Sequence, residues 1–227
     1  GTKIYITNGS VAGVLTVWAR TDAGVSAFLV EAGAEGLEVV RDEDLLGLRG
    51  VPATELRFDD VPAELLGTDG DGFRLAMVTL DDARLNISAI ALGTARRALE
   101  IALDHARQRE AFGQPIIRHQ GLAFLLADVV TELAAARALW LVAVREVAAG
   151  LGRAASTTCA MAKNACCNAA MRATTEAVQV LGGAGLTRDV PVERMFRDAK
   201  TFQILDGTTQ IQQLIIARHL ERRGLPY

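Results

Sequence analysis

Hydrophobic and polar residues alternate in short runs over the first sixty positions, then recur at helical spacing from Pro62 onward. The runs at 3–7, 14–20, 27–31, 37–41 and 54–58 are rich in β-branched or aromatic residues and are separated by glycine and aspartate turns, which predicts five strands. Five strands whose first begins at the terminus do not close a barrel, and Gly1 starts inside a strand-like pattern. The chain is therefore expected to open on part of a β-barrel, cut at its start.

Beyond Pro62 the spacing predicts helices over 71–109, 119–149, 154–181, 192–204 and 208–223. The first carries an apolar stripe through Phe73, Met77, Leu80, Ile87 and Ala91, with Gly113 and Pro115 beyond its end. Gly150 stops the second, and the pair Gly182 and Gly183 stops the third. In the last helix Ile211, Leu214, Ile215 and Leu220 have the spacing of one buried face. Long helices joined by short loops pack most economically as an up-and-down bundle, and their alanine content lets backbones approach closely. The fold class is α+β, with domains expected at 1–62 and 63–227. No internal repeat or low-complexity segment interrupts either.

Composition excludes several functions. With 227 residues, 50% hydrophobic and 22% charged, the chain is globular, and a net charge of −3 leaves no basic surface for nucleic acid. A mean hydropathy of +0.22 is high, and implies surface reserved for other subunits or for a missing domain. It does not imply a membrane span, since the most apolar stretch, 122–144, contains Asp128, Glu132 and Arg137. Cys159, Cys166 and Cys167 share one alanine-rich helix with no histidine at zinc spacing, so they read as packing residues and no metal is expected. No signal peptide opens the sequence, which makes a cytoplasmic location the expectation. The three histidines have no serine or cysteine partner that would suggest a hydrolase triad. The sequon Asn86-Ile87-Ser88 falls in mid-helix and is discounted.

The candidate chemistry sits at the break between the last two helices. Asp206 precedes Gly207 there, and Thr208 opens the final helix, so the carboxylate is either a turn or cap residue or a base at the edge of an apolar interior. The pattern alone leaves both readings open.

Five segments, in one order and spacing, carry a family resemblance: KIYITNG at 3–9, LGLRG at 46–50, REAFGQPI at 109–116, AVQVLGGAGL at 177–186, and RDAKTFQILDGTTQIQQLIIARHL at 197–220. On these residues the chain resembles the acyl-CoA dehydrogenases, flavoenzymes that desaturate acyl thioesters. The resemblance implies the end of a middle β-barrel domain followed by a C-terminal four-helix domain, with the family's N-terminal helical domain absent and the chain a fragment of a longer protein. It implies FAD as cofactor, an acyl-CoA substrate, electron-transfer flavoprotein or a similar acceptor as partner, and a homo-oligomer, dimer or tetramer. The isolated chain is expected to bind FAD weakly or not at all.

The resemblance also assigns residues. The family's usual base is the glutamate of a Glu-Gly-Thr motif, and the matching position is Asp206. Aspartate withdraws the carboxylate by roughly 1.5 Å, one carbon–carbon bond, and a misplacement of about 1 Å can cost about a hundredfold in rate. Relatives that relocate the base carry it where Ala83 stands, and Asp81 and Asp82 point elsewhere on the helix. Asp81, Arg84 and Gly207 are implied on the substrate side, with an ion pair between Arg84 and Asp81 the rival reading. Arg109 matches the arginine that reaches the FAD pyrophosphate across a subunit interface, and Phe112 would flank the adenine. Gln179, Gly182 and Gly183 match positions on the same half of the cofactor. Thr208 and Gln210 match residues near the FAD at the start of the last helix, with ordinary capping as the rival for Thr208. Tyr5 and Thr7 match a tryptophan and a threonine against the flavin ring. The departure at Asp206 leaves three functional readings: acyl-CoA dehydrogenation, action on a carrier-bound thioester or as an oxidase, and a non-catalytic oligomerisation subunit.

Overall fold

The computed structural model describes residues 1–226, which divide into two compact units at Leu80 and Asp81. The first unit is antiparallel β structure: β1 (Thr2–Thr7), β2 (Val14–Thr21), β3 (Gly24–Glu31), β4 (Leu37–Asp42), β5 (Ala53–Phe58) and β6 (Glu64–Leu66). They form two three-stranded sheets, ordered β1-β5-β4 and β2-β3-β6. Strands β2 and β3 pair residue for residue from Val14 opposite Glu31 to Thr21 opposite Gly24. Leu15, Val30 and Leu56 fill the space behind them, with Ile6, Val17, Leu37 and Phe58 packed around. No closed barrel is present among the described residues, as expected of a partial one. The unpredicted β6 is three residues long, too short for alternation to register, and exists because Glu64 to Leu66 pair with Ala27 to Leu29.

Helix α1 (Gly72–Gln108) starts in this unit and continues into the second. Its first residue lies against the backbone of β3, and Trp18 Nε1 donates to Gly72 O at 2.9 Å. Phe73, expected in the buried stripe, is instead 59% exposed: with Gly72 turned to β3, its neighbour points about 100° away.

The second unit contains the rest of α1, α2 (Gln120–Ala148), α3 (Ser156–Leu181), α4 (Val192–Phe202) and α5 (Thr209–Arg223), plus a hairpin of β7 (Glu110–Ala111) and β8 (Gln114–Pro115). Leu85, Ala143, Cys159 and Ala162 form one core layer, and Leu92, Ala136, Cys166 and Ala169 the next. Numbers rise together on α1 and α3 and fall on α2, which is the up-and-down order. Helix α3 lies at the centre of the unit, and its buried face is mostly alanine, cysteine and threonine. Burial pushes the Cys159 and Cys166 thiols up to about 12 and Cys167 up to about 11, so all three are inert packing groups.

The expected buried face of α5 is corrected by the structure. Ile211, Leu214 and Leu220 are each more than 40% exposed, whereas Gln212 is fully buried. The face turned to α3 runs through Gln212, Ile215, Ile216 and His219, and is tied by Thr157 Oγ1 to His219 Nδ1 at 3.0 Å. Polar partners on α3 therefore decide the rotation of this helix. Among the described residues no helix is long and apolar enough to cross a membrane.

Candidate functional site

The site is built where α4 gives way to α5. Helix α4 ends on buried Phe202, and Gln203 anchors the exit by donating from Nε2 to Asn168 Oδ1 at 2.7 Å. The N–H of Thr209 donates to Gln203 O at 2.9 Å, which closes the connection into a tight loop. Inside it Asp206 has φ +53° and Gly207 φ +91°. Two successive left-handed residues reverse the chain; glycine takes that conformation freely, and aspartate is among the few others that tolerate it.

Thr208 caps α5, its Oγ1 accepting from Ile211 N at 3.3 Å. The cap role thus belongs to Thr208 and not to Asp206. Thr208→Ala is expected to cost about 1 kcal/mol, seen as a lower urea midpoint. The Asp206 carboxylate, half-buried, accepts no hydrogen bond among the described residues, and the Asp206 N–H has no acceptor among them either.

Two cations act on that carboxylate. Burial raises the proton affinity of Asp206, while Lys163 and Arg84 pull it down, and burial wins. Lys163, from α3, is fully buried and donates from Nζ to Gly207 O at 2.6 Å. Burial lowers its own pKa against the opposing pull of Cys167 and Asp206. Arg84 is 4% exposed and bonds Asp81 Oδ1 through Nη1 at 2.6 Å, the ion pair weighed from the sequence. Asp81 Oδ1 also accepts from Ser156 Oγ at 3.0 Å, and Arg84 Nε has no partner among the described residues. Gln212 Nε2 donates to Gly207 O at 2.8 Å, leaving its Oε1 buried without a partner among the described residues.

Asp81, Arg84, Asp206 and Gly207 are therefore gathered with two residues that the sequence reading missed, Lys163 and Gln212. For Lys163 the sequence shows only that it is a lone charge in a stretch of mostly small, uncharged residues, which marks the position but not its target. Gln212 gave none, since it lies among residues that read as the polar side of α5.

Apart from Thr208 and Gln210, the cofactor candidates fall elsewhere. Arg109 and Phe112 sit at the β7–β8 hairpin, Phe112 at φ +51° and 97% exposed, and the Arg109 side chain is exposed with no partner among the described residues. His119 braces the hairpin: Nε2 donates to Ala111 O at 3.0 Å, Nδ1 accepts from Gln114 Nε2 at 3.2 Å, and the ring meets Phe112 edge-on at 5.9 Å. Gly182 has φ +58°, and a Cβ on Gly182 or Gly183 would meet nothing within 4 Å. The up-and-down order puts this end of α3, with exposed Gln179, at the same end of the bundle as the hairpin. An unpaired guanidinium, an exposed aromatic face and open backbone are the chemistry a dinucleotide needs, so the residues present fit FAD. Gln210 is exposed at the start of α5. Tyr5 and Thr7 are exposed on β1 of the first unit, Tyr5 at a bulge with φ +57°.

The family model for the acyl-CoA dehydrogenase C-terminal domain matches residues 70–221, and that for the acyl-CoA dehydrogenase middle domain matches residues 1–61. An acyl-CoA dehydrogenase of Bacillus subtilis is 47% identical over 230 residues, covering 97% of this chain and 60% of that protein. The butyryl-CoA dehydrogenase structure from Megasphaera elsdenii superposes with a TM-score of 0.92 at 38% identity, over 98% of this chain and 60% of that one. The structure of PigA with FAD and proline gives 0.94 at 31% identity, over 99% and 60%. The chain thus spans about 60% of the length of the relatives it matches.

Proposed function

We propose, because the chain belongs to the acyl-CoA dehydrogenase family, that the protein carrying it performs FAD-dependent α,β-dehydrogenation of an acyl-CoA thioester. The observation that carries this is the Asp206 corner: a half-buried carboxylate with raised proton affinity, in a left-handed turn, with its side chain and its N–H both uncommitted. The carboxylate removes the α proton, for which a pKa lifted from the usual carboxylate range makes it a better acceptor. The Asp206 N–H donates to the thioester oxygen as negative charge develops there, a role independent of side-chain length. Bound FAD supplies the acceptor for the β hydride, which no protein side chain can provide. Arg109 and Phe112 would hold its pyrophosphate and adenine, with Gln179, Gly182 and Gly183 on the same half and Thr208 and Gln210 nearer the flavin.

Electron-transfer flavoprotein or a similar acceptor completes the turnover. The exposed apolar residues of α5 support a homo-oligomer, and three reduced, buried cysteines support a cytoplasmic location.

The test is the anaerobic flavin spectrum of the complete protein before and after an acyl-CoA is added. Loss of the oxidised flavin absorption is expected. A flavin-loaded protein whose spectrum stays unchanged with linear and alicyclic acyl-CoA thioesters would sink the reading, and loss with a carrier-bound thioester alone would move the substrate to that class.

A further inference from the structure

A buried ammonium is costly unless it is paired. Lys163 is fully buried on α3, and no carboxylate lies within ion-pair distance of it among the described residues. Its ammonium donates to the carbonyl oxygen of Gly207 at 2.6 Å, its one side-chain hydrogen bond among the described residues. Gln212, also fully buried, sends its amide to the same oxygen from α5 at 2.8 Å, and more weakly to Asp206 O at 3.5 Å. Two donors from two helices thus converge on the carbonyl that follows the candidate base. A packing role alone would be better served by methionine, which fills the same volume without the cost of a buried charge.

We propose that Lys163 is a positioning residue for Asp206: by holding the Gly207 carbonyl it locks the left-handed Asp206–Gly207 corner and so aims the carboxylate. The corner needs such a lock. Asp206 at φ +53° occupies a region that an aspartate leaves readily when nothing restrains it. With the Gly207 carbonyl pinned from two sides, the peptide plane that follows Gly207 is held, and the longer contact to Asp206 O restrains the plane before it. The ammonium acts on the base electrostatically as well, opposing the effect of burial. The charged groups facing Asp206 are Lys163 on α3 and Arg84 on α1, the latter already paired with Asp81. Cys167, on α3, is a neutral thiol. Removing Lys163 therefore leaves a paired arginine as the remaining cation.

This inference rests on the dehydrogenase reading, and its test separates the two. Lys163→Met and Lys163→Gln are made in the complete, flavin-loaded protein. The Met variant, which loses donor and charge, is expected to lower kcat about a hundredfold with KM within about threefold. The Gln variant keeps an N–H donor and recovers at least about tenfold of that loss. Both move the acid limb of kcat/KM to higher pH, because the cation that favours ionised Asp206 is gone. A merely structural lysine would lower flavin content and thermal stability and leave the limb in place. Unchanged kcat in a folded Met variant, or an unmoved acid limb in both variants, overturns the proposal. Should the Met variant fail to load flavin, the limb of the Gln variant decides. Crystal structures of wild type and the Met variant decide independently of turnover: an Asp206–Gly207 corner unaltered in the variant overturns the proposal whatever the substrate proves to be.

Discussion

Asp206→Asn in the complete protein is expected to keep its flavin and to lose about three orders of magnitude in kcat on acyl-CoA, within the range that a positioned general base contributes. Asparagine is the discriminating replacement because it removes the proton affinity and the charge while preserving size and backbone conformation. It matches aspartate in size and adopts positive φ at least as readily, so the corner at φ +53° survives. The backbone N–H survives as well, and residual rate in the variant measures what that donor and substrate positioning supply on their own. Rapid-mixing measurement of flavin bleaching reads the proton-abstraction step directly, and a loss below about tenfold would exclude Asp206 as the base.

The pH dependence supplies a second readout. The base works deprotonated, and burial lifts its pKa above the ordinary value, so wild-type kcat/KM should fall with acid at a higher pH than an unperturbed aspartate would give, and that limb should vanish in the Asn variant. The linkage to stability has the matching sign. A carboxyl whose folded-state pKa is raised contributes its stability fully below its unfolded pKa, and that contribution is lost as pH rises through the folded value. The Asn variant removes that loss, so above the folded pKa it should be more stable than wild type, and inactive. Greater stability combined with lost turnover is the mark of a functional residue held at a cost to the fold.

How much of this could be read in the sequence follows from which interactions are local. Helix ends were legible because glycine and proline act on their own backbone: Gly150, Gly182 and the break at Asp206-Gly207 fall where the chain turns. The Arg84–Asp81 pair was legible for the same reason, being three residues apart on one helix. The orientation of α5 was not. Its isoleucines and leucines outvote one glutamine in any periodicity count, yet the glutamine is buried, because its amide is drawn to the Gly207 carbonyl and His219 to Thr157. Strand β6 and the β7–β8 hairpin are too short to carry a period, and exist through pairing with a partner strand. Lys163 was missed for a different reason. A lone lysine on a helix usually reaches solvent, and its target, a carbonyl 44 residues further on, cannot be inferred from its neighbours.

Gly72→Ala is expected to destabilise the protein by about 2–4 kcal/mol, although it puts a better helix former into a helix. A Cβ at Gly72 would stand 2.5 Å from Ser26 C, 2.7 Å from Ser26 Cα and 2.7 Å from Ala27 N. All three are backbone atoms of a strand paired on both sides, with β2 and β6, so no rotamer change can relieve the contact. Ser26 is further held by its hydroxyl, which accepts from Gly70 N at 2.7 Å and donates to Asp69, and Gly72 O is held by Trp18. Relief requires sliding α1 away from β3, which breaks those bonds and opens a gap under Ala27, now wholly buried. The control lies on the same helix. Gly93 is exposed, and a Cβ there would meet nothing within 4 Å, so Gly93→Ala should stabilise by about 0.5–1 kcal/mol through helix propensity and reduced freedom of the unfolded chain. Identical substitutions on one helix then differ in sign, which removes composition and length from the comparison and leaves the approach to β3 as the cause. Urea midpoints of the two variants measure it, and a Gly72→Ala protein as stable as wild type would mean that the strand yields without cost.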